Sequence, residues 1–236
     1  AALPILDNAE LAGRWLGERI EIDKLETTLP TSGAVALDAQ ARMASDRVML
    51  ERMHLAVGGG SVDMSGTIGV DRVPSELRLR WRDLRWPPTQ PQLEQAPVAG
   101  LHGEARISGL LDRYTFELNA DALLHGIAAQ VTARGNGTLD AVRIDTVTLQ
   151  ASKASASASG DITWSPQIRS NLDVRAEHFD PAMLAADWHG DINAHARTQT
   201  TFADGMPRVV FTADVANSTL RGYPLSLKAH GNSDLN

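Results

Sequence analysis

Strict alternation of apolar and polar residues is the feature that most constrains this chain of 236 residues. From about Gly33 onward, the alternation runs for roughly six to ten residues at a time, and Gly, Pro, Asn and Asp separate the runs. Because successive side chains of a β-strand point to opposite faces, each run predicts a strand with one apolar face. Roughly fourteen to sixteen such strands can be counted, which predicts an all-β fold.

Two short stretches favour helix instead. Residues 7–19 place Leu11, Trp15 and Leu16 at helical spacing after an Asp-Asn pair of the kind that caps helices. Residues 181–186 predict a short helical turn. The proline-rich stretch 86–91 predicts a surface loop or a sheet edge, because proline cannot donate the hydrogen bond that a central strand needs.

An internal repeat organises the chain. Residues 48–70 align without a gap with residues 142–164, an offset of 94 (142 − 48), and residues 126–140 align with 222–236 at an offset of 96 (222 − 126). His102-Gly103 aligns with His189-Gly190, which predicts that both histidines lie at the entry of a turn. A period of about 95 residues exceeds a propeller blade or a short solenoid rung, so each repeat should contain several antiparallel strands stacked along one axis. We therefore divide the chain into an N-terminal partial unit with a short helix (1–47), a first β repeat (48–141) and a second β repeat (142–236) that ends within the array.

Composition excludes several classes of function. The formal net charge is −7 and the sequence pI is about 5.5, whereas nucleic-acid binding needs clustered Lys and Arg to neutralise phosphates. The basic run Arg78, Arg80, Arg82 and Arg85 alternates with apolar residues, which is typical of the solvated face of a strand rather than of a base-stacking surface. The absence of cysteine removes disulfides, thiolate nucleophiles and thiolate metal sites.

No group of residues predicts catalysis. The histidines are scattered, and none forms the i, i+4 pair of a helical metalloprotease site. His189 and His195 fall on the same face of a predicted strand and could hold one metal, but two solvent-facing side chains are the favoured interpretation. The stretch 58–61 lacks the Lys-Ser/Thr and the helix of a phosphate loop and predicts a flexible hairpin connection. We expect a non-enzymatic protein without metal or cofactor.

The apolar face is the remaining candidate for function. In water it must be covered by a second sheet, helices, another chain or an apolar ligand. Composition favours a closed β-sandwich, but the small residues Ala154, Ala156, Ala158 and Gly160 leave more room than a packed sandwich uses, which favours a groove. The side chains predicted to line this groove and contact an apolar ligand are Leu55, Val62, Met64, Ile68, Val70, Leu77, Leu79, Trp81, Ile107, Phe116, Leu118, Ile127, Ala129, Val131, Ile144, Val147, Leu149, Ile162, Trp164, Leu172, Val174, Ile192, Val209, Phe211, Val215, Leu225 and Leu227.

Several segments of the sequence resemble a motif of the TamB family of AsmA-like envelope proteins. The family's recurrent string has a Gly-x-Ile-x-Trp segment, a polar strand, a Phe-Asp-Pro-Ala-x-Leu segment and an Asp-Trp-x-Gly segment. The matching segments of this chain are 160–164, 179–184 and 187–190, and the segments 207–209 and 219–225 also fit the family motif. In the first repeat, Arg85-Trp86-Pro87-Pro88 stands in place of the Phe-Asp-Pro segment, and Leu101-His102-Gly103 stands in place of the Trp-x-Gly segment.

The resemblance implies a fold and a cellular location. It implies an elongated, curled antiparallel sheet of repeated units with an apolar interior, of the kind called a β-taco. It also implies that the chain is a middle segment of a periplasmic protein that is anchored in the inner membrane by a segment absent here.

The resemblance implies two functions of different class. In the first, the groove conducts phospholipids between the inner and outer membranes of a Gram-negative cell and supports outer-membrane biogenesis, with phospholipid acyl chains as the ligand. In the alternative, the chain is an assembly scaffold for nascent outer-membrane β-barrel proteins, whose strands pair with its sheet edges. Either function implies an Omp85-type outer-membrane partner, reached through regions outside this segment. A polysaccharide-binding array is less favoured, because it would need exposed aromatic residues on the polar face.

Overall fold

A computed structural model describes residues 7–29, 33–70, 72–88, 92–93, 96–183, 185, 187–203 and 206–234 of the chain. Fifteen β-strands account for almost all of these residues. They are β1 (Asp7–Leu16), β2 (Arg19–Leu29), β3 (Gly33–Met43), β4 (Arg47–Val57), β5 (Gly60–Gly69), β6 (Ser75–Trp86), β7 (Val98–Leu110), β8 (Arg113–Leu124), β9 (Ile127–Gly137), β10 (Ala141–Ala151), β11 (Ala154–Thr163), β12 (Arg169–Phe179), β13 (Gly190–Ala203), β14 (Met206–Leu220) and β15 (Tyr223–Asp234). The predicted all-β fold is confirmed.

The strands form one sheet whose order is the order of the sequence, from β1 to β15. Neighbouring strands are antiparallel, as in β10, which pairs with β9 on one side and β11 on the other. Most are joined by short turns, but the β6–β7 and β12–β13 connections are longer. The chain divides into two compact units. Unit 1 comprises Ala1–Tyr114 and Leu118–Gly126, and unit 2 comprises Thr115–Glu117 and Ile127–Asn236.

The helix predicted over residues 7–19 is wrong. Asp7–Leu16 forms β1, which pairs with β2 so that Leu11 faces Leu25 and Trp15 faces Ile20 along the backbone. Gly17 lies in the turn with a φ of 64°, a conformation that ends regular structure and costs glycine little. Pairing with the alternating strand β2 therefore overrides a weak helical spacing. Of the short turn predicted at 181–186, the part over Pro181–Met183 is confirmed as a 3₁₀ turn, and residues 184 and 186 lie outside the described residues.

Two hairpins share an irregularity at positions that the sequence repeat brings into alignment. The register of β4 with β5 shifts between Leu50 and Met53, and that of β10 with β11 shifts between Ile144 and Val147. Gly66 and Gly160 face these bulges with φ values of 137° and 146°. A Cβ atom at either glycine would collide with a carbonyl oxygen of the next strand, so both positions need glycine. The boundaries of the repeats themselves stay a prediction.

The turn-entry position predicted for His102 is wrong. His102 lies inside β7, opposite Arg82 of β6, and its Nε2 atom lies 2.6 Å from the Asp121 carboxylate. His189 does precede a strand, and its carbonyl accepts a hydrogen bond of 2.8 Å from the Arg221 amide. The matching bond in unit 1 runs from the His125 amide to the Pro97 carbonyl at 2.9 Å. The two His-Gly pairs align in sequence but occupy different positions in the sheet.

The apolar face of each unit is half-buried rather than sealed. Among the described residues, no large side chain is less than 2% exposed, and the buried apolar residues are mostly alanines. A closed sandwich would bury large side chains from two facing sheets at interior packing density. Each unit is therefore a single layer with an accessible apolar face. No helix within the described ranges is long and apolar enough to span a membrane.

Candidate apolar binding face

Strand register brings one row of small side chains across unit 2. Ala158 of β11 faces Val147 of β10 and Val174 of β12, and the pairing continues on both sides. We call this set the central row of unit 2. Its members are Ala133, Val147, Ala158, Val174, Ala196, Ala213 and Ala229.

Two further rows flank the central row on the same face of unit 2. The first consists of Val131, Leu149, Ala156, Ala176, Ala194, Val215 and Leu227. The second consists of Gly135, Ile144, Gly160, Leu172, Thr198, Phe211 and Gly231. Leu149, Leu172, Phe211 and Leu227 are larger side chains that flank the central row on some strands, whereas on β11 and β13 all three rows hold small residues. We call the central row and the small residues beside it the furrow of unit 2. None of the residues in the three rows carries a charge.

The corresponding row of unit 1 is filled with larger side chains. Met53 of β4 faces Ala39 of β3 and Met64 of β5, and Leu79 of β6 faces Met64 and Ala105. These five residues form the central row of unit 1. Because Met and Leu extend further from the backbone than Ala, the face of unit 1 has no comparable furrow.

Aromatic rings lie across glycines on the same faces. A Cβ atom at Gly103 would collide with the Trp81 indole ring, and one at Gly135 would come within 2.8 Å of the Phe116 ring. A Cβ atom at Gly231 would lie 3.1 Å from Phe211 Cε1. Each ring therefore lies flat on the neighbouring strand, as aromatic residues do when they cover strand glycines. The arrangement keeps the apolar faces smooth.

Charged side chains are collected on the opposite face of the sheet, where they pair across strands. In unit 2, the Asp173 carboxylate binds His195 Nε2 and Arg197 Nε, each at 2.9 Å. The hydrogen bonds from Arg197 and His195 lower the pKa of Asp173 to about 2. In unit 1, His54 Nδ1 lies 2.7 Å from Asp63 Oδ1. These exposed ion pairs contribute little stability, but they leave the other face free of charge.

The histidines that share a predicted strand face do not share a ligand. His195 binds Asp173, whereas His189 Nδ1 lies 3.6 Å from an Asp180 oxygen outside the strand. Within the described part of the chain, no group of three or more His, Asp or Glu residues is placed to hold a metal ion. The stretch 58–61 comprises the β4–β5 turn at residues 58–59 and the first two residues of β5. Gly58 packs closely against Pro88, and Gly59 packs against Arg85.

Most of the side chains predicted to line the groove lie within strands of the two units. Two lie just past strand ends: Val70 follows β5, and Trp164 follows β11 and donates a hydrogen bond of 2.7 Å from Nε1 to the Leu139 carbonyl. Trp86, Trp164 and Trp188 are exposed, and all three lie at strand ends or in connections rather than on the polar strand face. A lining role for the predicted residues stays a prediction.

Sequence reasoning used Ala158 as a sign of a groove, but it did not predict a row of small side chains that runs across the strands. Ala158, Ala196 and Ala213 belong to the central row, yet none was among the predicted lining residues. The strand alternation that includes them was visible in the sequence, but alanine gives a weak apolar signal. Only the strand register shows that alanines from separate strands form one row.

Comparison with known protein families gives one match. The family model described as "TamB, N-terminal domain" matches residues 60–236, which is more than half of the chain. Comparison with curated proteins and with solved structures gives no match.

Proposed function

The chain belongs to the TamB family of envelope-biogenesis proteins, and on this premise we propose that its apolar face conducts phospholipids between the inner and outer membranes. In this proposal the acyl chains lie on the apolar face while the headgroups stay in water. The protein works in the periplasm, without catalysis, together with an Omp85-type outer-membrane partner bound through other regions. Transport of this kind supplies lipid for outer-membrane biogenesis.

The central row of unit 2 is the observation that carries the proposal. It crosses seven strands, from β9 to β15. At a strand spacing of about 4.8 Å, six steps span roughly 29 Å. The hydrocarbon core of a bilayer is about 30 Å thick, so an acyl chain of one leaflet needs about half that length. The furrow is therefore long enough to hold an acyl chain end to end.

The binding energy of an acyl chain on the apolar face is also compatible with movement of the lipid along the row. Burying an acyl chain stabilises the complex by about 0.8 kcal/mol for each methylene that leaves water. The contact is non-directional, because the rows contain apolar residues, glycine and a single threonine and hold no charged group to fix one position. A chain can therefore slide along the row without breaking specific bonds.

Lipid retention by the purified protein tests the proposal. We would purify it under mild conditions and measure bound phospholipid by native mass spectrometry and lipid extraction. The test variant combines Val131→Asp with Ile162→Asp, which places two charges on the apolar face. The control combines Gln130→Asp with Ser157→Asp, which places the same charges on the polar face of the same two strands.

The proposal predicts co-purified phospholipid in the wild type and in the control, and its loss from the test variant. A compact, lipid-free wild-type monomer that is indifferent to both pairs of changes would contradict the conduit. That result would favour the alternative, a scaffold for protein partners.

A further inference from the structure

Two separated sequence segments meet at one end of unit 2. Gly190, the first residue of β13, faces Leu220, the last residue of β14. The β12–β13 connection, residues 180–189, thus lies beside the β14–β15 turn at 221–222. The Arg221 amide donates to the His189 carbonyl at 2.8 Å, and Arg221 Nε donates to the Asp187 carbonyl at 3.3 Å.

Asp180 fixes the shape of the β12–β13 connection. Its Oδ1 atom accepts hydrogen bonds of 3.0 Å from the amides of Ala182 and Gly190, which lie at opposite ends of the connection. Burial alone would raise the pKa of the Asp180 carboxyl, but these amides and His189 outweigh it and hold the pKa below its ordinary value. Ala182 and Met183 are buried, with Met183 only 2% exposed. The described residues of the connection, 180–183, 185 and 187–189, are therefore held by packing at Ala182 and Met183 and by the hydrogen bonds of Asp180.

Three exposed side chains lie at this end of unit 2, and we call them the cluster: Trp188 of the β12–β13 connection, Arg221 of the β14–β15 turn and Tyr223, the first residue of β15. Trp188 is 50% exposed and Tyr223 is 76% exposed. The Arg221 guanidinium lies 5.6 Å from the centre of the Trp188 ring, within the range of a cation–π contact. Among the described residues, no carboxylate pairs with Arg221, whereas Arg143, Arg175 and Arg197 of unit 2 each have an acidic partner. Its charge is therefore available to an anionic group from outside the chain.

The cluster borders the apolar face of unit 2. A Cβ atom at Gly190 would lie 3.3 Å from Leu220 Cδ1, so the Leu220 side chain rests against the start of β13. Ile192 of β13 and Leu225 of β15 follow on the strands and are half-buried. The cluster thus stands where an apolar surface meets water, the position that amphipathic Trp and Tyr side chains favour.

We propose that Trp188, Arg221 and Tyr223 form a binding site for the phosphate headgroup of a phospholipid whose acyl chains lie on the apolar face of unit 2. The inference rests on the proposed function and adds a headgroup site to it. Arginine suits this role because its planar guanidinium can bind two phosphate oxygens at once. The two aromatic side chains contact the glycerol region between phosphate and acyl chains.

Unit 1 lacks this cluster at the equivalent place. His125, with a φ of 47°, occupies the turn position that Arg221 occupies with a φ of 50°, and both donate the same backbone hydrogen bond. Ala96, which precedes the accepting residue Pro97 as Trp188 precedes His189, is 1% exposed. The same backbone arrangement therefore exists without the side chains that would bind phosphate, which confines the site to unit 2.

A comparison of lipids with and without phosphate tests the site. We would measure binding of dioleoyl phosphatidylglycerol, dioleoylglycerol and glycerol 3-phosphate to the whole chain. The variants are Arg221→Gln, Trp188→Ala and the control Arg134→Gln, which removes the same charge from the polar face of β9. Circular dichroism and thermal unfolding check that each variant folds.

We expect Arg221→Gln to weaken phosphatidylglycerol binding about tenfold, as loss of a charge-assisted contact does, and to leave dioleoylglycerol binding unchanged. Trp188→Ala should weaken phosphatidylglycerol binding less, and Arg134→Gln should not change it. Equal phosphatidylglycerol affinity of wild type and a folded Arg221→Gln variant would overturn the headgroup site alone. Tight binding of glycerol 3-phosphate would make this a site for free phosphate esters and would overturn the assignment to lipid. Failure of the wild type to bind either dioleoyl lipid would overturn the proposed function together with the headgroup site.

Discussion

The central rows of the two units share the same strand register but differ in the size of their side chains. Met53, Met64 and Leu79 of unit 1 occupy positions that the repeat matches with Val147, Ala158 and Val174 of unit 2. Both hairpins carry a bulge and a facing glycine at equivalent places, so strand register is the same around each row. The depth of the apolar face is therefore set by side-chain size at a few positions and not by the path of the backbone.

The difference in side-chain size determines how much room each face leaves for a bound acyl chain. Long Met and Leu side chains in unit 1 cover their own strands and leave little room for a bound chain. Ala158, Ala196 and Ala213 of unit 2 extend less far from the strand surface than Met53, Met64 and Leu79 of unit 1, which leaves a depression on the face of unit 2. An acyl chain gains most where it fills such a depression, because more of its methylenes leave water there.

The largest expected effect comes from filling the space under the Trp81 ring of unit 1. In Gly103→Ala, the new methyl group meets the indole and comes within 2.9 Å of the Asn119 carbonyl oxygen, so ring and strand must shift. We expect a loss of about 2 kcal/mol in the free energy of unfolding, as for other overpacked sites. Urea unfolding measures it.

The matched change in unit 2 is Gly231→Ala, where the methyl group would lie 3.1 Å from the Phe211 ring edge. A small shift of the ring accommodates it, and we expect a loss below about 1 kcal/mol. A larger loss for Gly231→Ala than for Gly103→Ala would contradict the observed difference in ring packing.

The next effect comes from making the central row of unit 2 resemble that of unit 1. The double variant Ala158→Met with Ala196→Met should displace about two methylenes of a bound acyl chain and weaken lipid binding about tenfold. Ser157→Met with Gln199→Met is the control, because these residues lie on the same strands and face the other way. Equal lipid binding by both double variants would show that the furrow is not where lipid binds.

A smaller effect comes from emptying the row of unit 1. Met64→Ala removes a half-buried side chain, so we expect a loss of about 1 kcal/mol in unfolding free energy, below the cost at a fully buried site. The same change should raise the amount of bound lipid, since it opens a depression in unit 1. Ser65→Ala, on the opposite face of β5, should change neither quantity. A fall in bound lipid would indicate that the methionine itself contacts the ligand.

The smallest effect concerns the polar face and should leave lipid binding unchanged. The folded-state pKa of Asp173 is about 2, below the unfolded value of about 3.9, so its contribution to stability is present above pH 4 and is lost as the pH falls through about 2. Carbon-detected NMR of the Asp173 carboxyl should show this midpoint. Arg197→Gln should raise the midpoint, because Arg197 is the main cause of the shift. An unchanged midpoint in this variant would contradict that assignment.

Sequence patterns predicted the strands well because nearly every strand has one apolar face, which period-two alternation reports directly. They failed at β1, where Leu11, Trp15 and Leu16 also fit helical spacing and only pairing with β2 decides the outcome. They also failed for features that depend on register. The row through Ala158, Ala196 and Ala213 joins residues from separate strands, and bulges at several places shift the alignment between the strands. The contact of Trp188 with Arg221 joins a connection and a turn that only strand pairing brings together.

The central claim is that acyl chains lie along the central row of unit 2. The most direct test loads the protein with a phospholipid that carries a diazirine on its acyl chain, irradiates it, and maps the cross-linked residues by mass spectrometry. We expect the cross-links to concentrate on Ala158, Ala196, Ala213 and the side chains that flank them, with few in the central row of unit 1. Cross-links spread evenly over both faces of the sheet, or concentrated at Met53 and Met64, would contradict it.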